Sequence, residues 1–272
     1  MHWAAAHADR RGLPLRILHA VERPSRRIVP WTEPGASELD QAEARRIVES
    51  ALVDVQRAWP DVAADSYWTT GTAGEVLTRH ATPADLLVVG ARGRGRITSV
   101  LLGSVSAGVA QRAPCPVVVV RPSRDVRYSD TPRGVVVGLD GCTSCGRTTG
   151  FAFAAAAERG LPLTVVHAVW DQAATPATRR PYLDRLVNRK PSGVDIAEIL
   201  SGWKEQYPDV VVVMRYEYGR PAQVLVDVST GSDLLVVGDR GRDATTSLLG
   251  SVSRDVLRHA RCPVAVVRVD PR

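Results

Sequence analysis

The hexapeptide DLLVVG at residues 85–90 recurs unchanged at residues 233–238, 148 positions further along the chain. A second hexapeptide, LLGSVS, occurs at residues 101–106 and again at residues 248–253, at an offset of 147. A repeat of this length is too long for a solenoid unit and long enough to bury a core of its own. The sequence therefore predicts two tandem copies of one domain.

Within each copy, short β-branched runs alternate with segments of helical periodicity, a pattern typical of βαβ units and a parallel sheet. Strands buried on both faces should be apolar throughout. The second copy has five such runs, at residues 134–139, 163–169, 210–216, 234–237 and 264–267. The predicted fold class is α/β, with two tandem Rossmann-like domains, each a parallel five-stranded sheet flanked by helices.

The first copy starts too late to contain all five strands. Met1 aligns with Thr149, so the strand at residues 134–139 has no counterpart and the first domain lacks its opening strand. Two explanations are open: the true start codon lies upstream, or the domain has lost the strand. We favour the first, because Met1 falls where a helix should already be running.

The repeat also sets the expected domain boundaries. We predict a truncated domain over residues 1–121, a linker over residues 122–132 and a complete domain over residues 133–272. A loop is expected at residues 22–35, followed by a helix capped at Ser37. Its predicted inward side chains are Leu39, Ala42, Val48, Leu52 and Val55.

Composition narrows the class of protein. Of the 272 residues 44% are hydrophobic and 24% charged, which is typical of a globular protein and argues against disorder. No apolar run approaches the roughly 20 residues that span a bilayer, and the N-terminus does not resemble a signal peptide, so we expect a cytoplasmic protein with no membrane partner. The net charge of +6 comes largely from dispersed arginines, which favours solvated or phosphate-loop charge over a nucleic-acid-binding face.

Each copy places glycines between an apolar strand and the start of a helix. The first copy reads Gly90-x2-Gly93-x9-Gly103-Ser104, and the second reads Gly238-x2-Gly241-x8-Gly250-Ser251. Glycines let backbone amides approach a phosphate, and a helix that begins near the last glycine directs N–H groups at the anion. Hydroxyl donors are expected from the serines at positions 104, 106, 251 and 253.

This arrangement resembles the tandem-domain members of the universal stress protein family over nearly the whole chain. The family's adenine-nucleotide motif, Gly-x2-Gly-x9-Gly-(Ser/Thr), is matched in full by the first copy. Further matches are VGLDG at residues 137–141, HAV at residues 167–169 and the Cys-Pro-Val that opens each final strand. The resemblance implies a cytoplasmic stress-response regulator that binds ATP, with or without Mg²⁺, and has no strong catalytic activity.

The resemblance also implies binding residues in both domains. Asp140 would contact adenine and Ala168 would line the adenine slot, as Ala20 would in the first domain. The second domain would add Gly141, Gly238, Gly241, Gly250, Ser251, Val252 and Ser253, and the first would add Gly90, Gly93, Gly103, Ser104, Val105 and Ser106. The final strands, Val117–Val120 and Val264–Val267, would pair the two domains, and a homodimer of tandem chains is plausible.

Two departures from the family pattern bear on the site. The second loop is one residue short, which would either shift the phosphate cradle or only tighten the loop tip. The first domain has the full glycine motif but no counterpart of Asp140. Both departures favour an alternative function, a stress interaction protein that binds no nucleotide.

Signals for catalysis are weak. The chain has no Gly-x4-Gly-Lys-(Ser/Thr) motif and no complete Gly-x-Gly-x-x-Gly fingerprint. His19 and His167 end equivalent strands and are interpreted as hydrogen-bonded structural residues. We therefore expect no enzyme, with weak ATP hydrolysis as an alternative.

The cysteines divide into two kinds. Cys142 and Cys145 form a Cys-x-x-Cys pair directly after Asp140, and the pair would be redox-active if it opened a helix whose dipole lowered a thiol pKa. Cys115 and Cys262 precede final strands and are interpreted as packing residues.

Overall fold

The computed structural model describes residues 1–22, 38–82, 84, 86–91, 102–121, 134–141, 145–170, 196–240 and 249–269. The loop predicted after residue 22, the predicted linker, Ser37, Gly93, Gly241 and Cys142 lie outside the described residues. The chain divides into two compact units. The first comprises Met1–Ala84 with Arg112–Pro114, and the second comprises Asp85–Gln111 with Cys115–Arg272.

The first unit is a two-stranded parallel sheet with three helices. Its elements, in order, are α1 (His2–Arg11), β1 (Leu15–Val21), α2 (Glu38–Ala58), β2 (Ala64–Thr70) and α3 (Ala73–His80). Strand β1 pairs with β2 in parallel from Leu15↔Ala64 to Val21↔Thr70. Strand β2 and helix α3 were not predicted from the sequence. Helix α1 ends at Gly12, whose φ of 60° is the left-handed conformation that glycine adopts most readily.

Helix α2 packs on this small sheet through Ala44, Val48 and Val55. The predicted inward face was wrong at its N-terminal end, where Leu39 is 82% exposed and Ala42 is also exposed. The reason is that a 21-residue helix is longer than the seven-residue strands beneath it, so its first turns have no sheet to cover.

The second unit contains a mostly parallel seven-stranded sheet flanked by helices. From the first repeat it takes β3 (Leu87–Gly90), α4 (Ser104–Arg112) up to Gln111, and β4 (Val117–Val120). From the second repeat it takes β5 (Val135–Gly138), α5 (Gly146–Ala157), β6 (Leu163–Val169), α6 (Ile196–Gln206), β7 (Val212–Tyr218), α7 (Pro221–Val228), β8 (Leu234–Gly238), α8 (Ser251–His259) and β9 (Val264–Val267). The α/β class and the five parallel strands of the second repeat are confirmed.

The strand order is β3-β4-β9-β8-β5-β6-β7. All neighbours are parallel except β4 and β9, which pair antiparallel through Val117↔Val266, Val118↔Ala265 and Val119↔Val264. Strands β5, β8 and β9 are buried almost throughout, as expected of parallel strands covered on both faces.

Strand β5 explains why the compact units do not follow the repeats. It pairs with β6 on one side and β8 on the other, and so joins the two halves of the second repeat. Among the described residues of the first repeat no strand takes this place, and its strands form two separate pairs, β1 with β2 and β3 with β4. The domain boundaries read from the repeat stay a prediction.

The cysteines that precede final strands are packing residues, as interpreted. Cys115 is 8% exposed and Cys262 is 4% exposed. Burial raises the pKa of the Cys262 thiol to about 11. A side-chain hydrogen bond with Ser229 lowers this pKa, but by less than burial raises it. Of the helices in the described part of the chain, none has the length and apolar character needed to cross a membrane.

We expect the stability of the protein to fall as pH rises from about 9 to about 11, because the unfolded thiol of Cys262 ionises near its ordinary pKa of 9.0 while the folded thiol keeps its proton. The loss should be on the order of 2 kcal/mol, since one pKa unit corresponds to about 1.4 kcal/mol. Urea unfolding at several pH values measures it. In Cys262→Ala this part of the pH dependence should disappear; the same slope in both proteins would contradict the prediction.

Candidate functional site

A cleft of about 740 Å³ opens in the second unit, a volume within the range of small-molecule sites. It lies at the carboxyl ends of β5, β6 and β8, where ligands bind in open parallel sheets. The first turns of α5, α7 and α8 complete its walls. Seven of the residues predicted for the second domain line it, namely Asp140, Ala168, Gly238, Gly250, Ser251, Val252 and Ser253.

Asp140 lines this cleft, two residues after the end of β5. Its carboxylate Oδ1 accepts a hydrogen bond from the Cys145 thiol at 3.3 Å. Cys145 is buried and is the N-cap of α5, so the second cysteine of the predicted pair does open a helix. The thiol contact orients the carboxylate that the family resemblance assigns to adenine. Redox activity of Cys142 and Cys145 stays a prediction.

His167 also lines the cleft, at the end of β6. Its Nδ1 lies 2.8 Å from the carbonyl oxygen of Leu139. Because a carbonyl only accepts, Nδ1 must carry the hydrogen, and the ring is oriented by the backbone that follows β5. The ring also packs edge-on against Tyr216. This geometry agrees with a structural role for His167.

Described residues of the second repeat's glycine motif, Gly238 and Gly250, also line the cleft. Gly250 is the N-cap of α8 and offers no side chain to the helix amides. The amides of Ser251, Val252 and Ser253 belong to the first turn, which has no intrahelical acceptors, and they carry the positive end of the helix dipole. The Ser253 hydroxyl donates a hydrogen bond to the Gly238 carbonyl oxygen at 2.5 Å. This bond connects the first turn of α8 to the end of β8.

The two glycine loops close in the same way at their bases. The amide of Gly103 donates to Ala91 O at 2.8 Å, and the amide of Gly250 donates to Asp239 O at 2.8 Å. The one-residue difference between the loops therefore falls among residues 93–101 and 241–248, outside the described part of the chain. The shorter second loop leaves the start of its helix anchored as in the first repeat.

Positive charge accompanies the amides at this end. Arg240 and Arg254 both line the cleft. Beside them the Asp239 carboxylate, 3% exposed, accepts hydrogen bonds from the Val269 amide at 2.9 Å and from Arg268 at 3.2 Å, and it lies 3.4 Å from Arg240 Nε. The Asp239 carboxylate holds Arg240 and Arg268 in place. The part of the cleft lined by Gly238, Arg240, Arg254 and the first turn of α8 is suited to an anion and is called the anion end below.

The predicted residues of the first repeat are not brought together in one unit. Ala20 lies on β1 in the first unit, whereas Gly90, Gly103, Ser104, Val105 and Ser106 lie in the second. The Ser106 hydroxyl is buried and donates to Ala91 O at 3.2 Å. In the second repeat, Gly141 turns the chain after β5 with a φ of 74° and does not line the cleft.

Several cleft residues were missed by sequence reasoning. Trp170 follows β6 directly, is 40% exposed and has the Arg220 guanidinium 5.6 Å from its ring centroid. Its position at a strand end was a signal that could have identified it. Thr148 and Val269 line the cleft from the helix after β5 and the segment after β9, and no motif marks them.

The described residues hold no group of three or more His, Cys, Asp or Glu side chains arranged to bind a metal ion. Beside the cleft the Asp239 carboxylate is occupied by Arg268 and the Val269 amide.

Comparison with known proteins agrees with the fold. The model of the universal stress protein family matches residues 1–121 and 132–268. A universal stress protein of Mycobacterium tuberculosis is 36% identical over 274 residues, which cover 98% of this chain and 91% of that protein. One from Mycolicibacterium smegmatis is 31% identical over 280 residues, covering 98% and 92%.

Solved structures show the same architecture. A universal stress protein from Archaeoglobus fulgidus superposes with a TM-score of 0.64 at 18% identity, covering 98% of this chain and 90% of that one. A putative universal stress protein from Pseudomonas aeruginosa superposes with a TM-score of 0.56 at 15% identity, covering 97% and 95%. Sequence and fold agree, and the chain belongs to the universal stress protein family.

Proposed function

We propose that this protein is a cytoplasmic stress-response regulator that binds an adenine nucleotide, ATP, in the cleft of its second unit and has no strong catalytic activity. The observation that carries the proposal is the cleft itself, which is lined by both Asp140 and the first turn of α8.

Asp140 and the anion end of the cleft differ in chemistry in the way that a nucleotide requires. A carboxylate accepts hydrogen bonds, so Asp140 suits a base that carries an amino group. The anion end presents the amides that begin α8 together with Arg240 and Arg254, and these groups suit phosphates. Two guanidinium groups beside a helix N-terminus favour a polyphosphate over a single phosphate. Magnesium would then bind through phosphate oxygens of ATP.

Two titratable side chains at or beside the cleft, His167 and Asp239, have fixed hydrogen-bond partners. His167 is oriented by the Leu139 carbonyl, and the Asp239 carboxylate accepts hydrogen bonds from Arg268 and the Val269 amide. The Asp239 carboxylate is therefore not free to take a proton from an attacking water. The Nδ1–H contact of His167 leaves Nε2 with its lone pair, so phosphate release is the measurement that separates ligand binding from hydrolysis.

Calorimetric titration of the full-length protein with ATP tests the proposal. We expect binding, and we expect Asp140→Ala to weaken it about tenfold, since a hydrogen bond to a charged group contributes roughly 1.5 kcal/mol. Asp209→Ala, an exposed position in the loop after α6, serves as the control and should bind like the unmodified protein. Absence of ATP binding would favour the alternative, an interaction protein without nucleotide. Phosphate release at a steady rate would instead indicate an ATPase.

We also propose that the two repeats associate through the antiparallel pair formed by β4 and β9. This pairing joins the last strand of each repeat and brings β3 and β4 of the first repeat into one sheet with the strands of the second. A homodimer of the whole chain belongs to the same proposal, and sedimentation velocity gives the mass that decides it.

A further inference from the structure

Thr148 stands out among the cleft residues because its hydroxyl has no partner. It lies in the first turn of α5, is 2% exposed and lines the cleft. Its Oγ1 is buried and makes no hydrogen bond. Folded proteins nearly always satisfy such groups, because a buried polar atom without a partner costs folding free energy. The neighbouring Thr149 follows this rule and donates to the Cys145 carbonyl at 2.9 Å.

The unsatisfied hydroxyl lies beside Gly238, at the anion end of the cleft. A Cβ placed on Gly238 would be 3.5 Å from Thr148 Oγ1, 3.2 Å from the Arg240 carbonyl oxygen and 2.9 Å from Val269 Cγ1. The bond from Ser253 to the Gly238 carbonyl brings the first turn of α8 to the same residue. The N-terminal turns of two helices, α5 and α8, therefore flank Gly238.

A second polar atom at this end also lacks a hydrogen-bond partner. Arg240 Nε is buried and makes no hydrogen bond, although it lies 3.4 Å from the Asp239 carboxylate. Thr148 Oγ1, Arg240 Nε and the amides that begin α8 can all donate a hydrogen. A group that satisfies them together must offer several acceptor oxygens and carry negative charge. Phosphoryl oxygens meet both conditions, whereas a ribose hydroxyl or a base edge does not.

We propose that Thr148 donates its hydroxyl hydrogen to a phosphoryl oxygen of the bound nucleotide. This inference rests on the proposed function and adds to it a phosphate-binding residue from α5, outside the glycine motif. The bond would satisfy a buried hydroxyl that the described residues leave without a partner.

The test compares Thr148→Val, which keeps the shape and removes the hydroxyl, with Thr148→Ser, which keeps the hydroxyl. Calorimetric titrations use ATP and adenosine. We expect Thr148→Val to weaken ATP binding by about five- to tenfold, the range for loss of a donor to a charged group, and to leave adenosine binding unchanged. Thr148→Ser should bind ATP within about twofold of the unmodified protein. Because the hydroxyl is unsatisfied, Thr148→Val should unfold at the same or a higher temperature.

Thr149→Val is the matched control, because it removes a buried hydroxyl from the next position that is already bonded to Cys145. It should lower the unfolding temperature and leave the ratio of ATP to adenosine affinity unchanged. Equal affinity of Thr148→Val and the unmodified protein for ATP would overturn the inference and leave the proposed function intact. Equal weakening of ATP and adenosine would also overturn it. If the unmodified protein binds no ATP, the proposed function fails and the inference fails with it.

Discussion

Gly238→Val should lower the affinity for ATP by about 100-fold, equivalent to about 2.7 kcal/mol. A Cβ at this position would already be 2.9 Å from Val269 Cγ1 and 3.2 Å from the Arg240 carbonyl oxygen, and the backbone atom cannot easily move away. The two methyl groups of valine would fill the space between the first turns of α5 and α8, where the phosphates are proposed to bind.

Gly202→Val controls for the general effect of adding a side chain. Gly202 is exposed on α6, and a Cβ there would meet no atom within 4 Å. This variant should bind ATP normally. Calorimetry measures both affinities, and circular dichroism establishes that both variants are folded. Normal ATP binding by a folded Gly238→Val protein would show that nucleotide does not occupy this end of the cleft.

Asp239→Ala is expected to be the most destabilising of the single changes considered, by about 3 kcal/mol. The Asp239 side chain is 4% exposed, and its carboxylate faces the guanidinium groups of Arg268 and Arg240 together with the Val269 amide. Its removal takes this carboxylate away from two partly buried cations and from the Val269 amide. The arginines are each about a quarter exposed, so solvent offsets part of the loss.

Asp65→Ala is the control that separates the effect of burial from the effect of losing an Asp–Arg pair. Asp65 also pairs with an arginine, Arg16 at 3.0 Å, but both side chains are more than half exposed. Exposed pairs contribute little because water screens them, so this variant should unfold at the same urea concentration as the unmodified protein. Urea unfolding followed by circular dichroism measures both variants. Equal behaviour of the two would mean that Asp239 is not a structural carboxylate.

Most of the candidate site in the second unit could be predicted from the sequence. The residues from Gly250 to Ser253 line the cleft as expected, because a glycine after an apolar strand and before a helix places amides at a strand end by local geometry alone. Asp140 was predicted from the family resemblance, through the VGLDG match at residues 137–141. The prediction that failed depended on distant neighbours: Leu39 has apolar character and helical spacing, yet it is 82% exposed.

Thr148 illustrates the limit for the site. Its type and spacing are ordinary for a helix, and its importance lies in the lack of a partner beside Gly238, a residue 90 positions away. Val269 likewise reaches the cleft only because the chain after β9 returns to the Asp239 carboxylate. No local pattern encodes such meetings, since each depends on which strands become neighbours in the sheet.

The sequence by itself determined that the chain contains two copies of one α/β domain, where most of the strands and helices lie, and which glycines stand at strand ends. These are local properties, set by side-chain periodicity over a few residues and by the repeat. Only the tertiary structure decided how the strands are partitioned. Strand β5 binds the halves of the second repeat together, whereas the described strands of the first repeat fall into two separate pairs. The physical reason is that strand pairing and burial depend on contacts between segments that are far apart in the chain. Whether two strands pair therefore depends on which neighbouring strands are already in place.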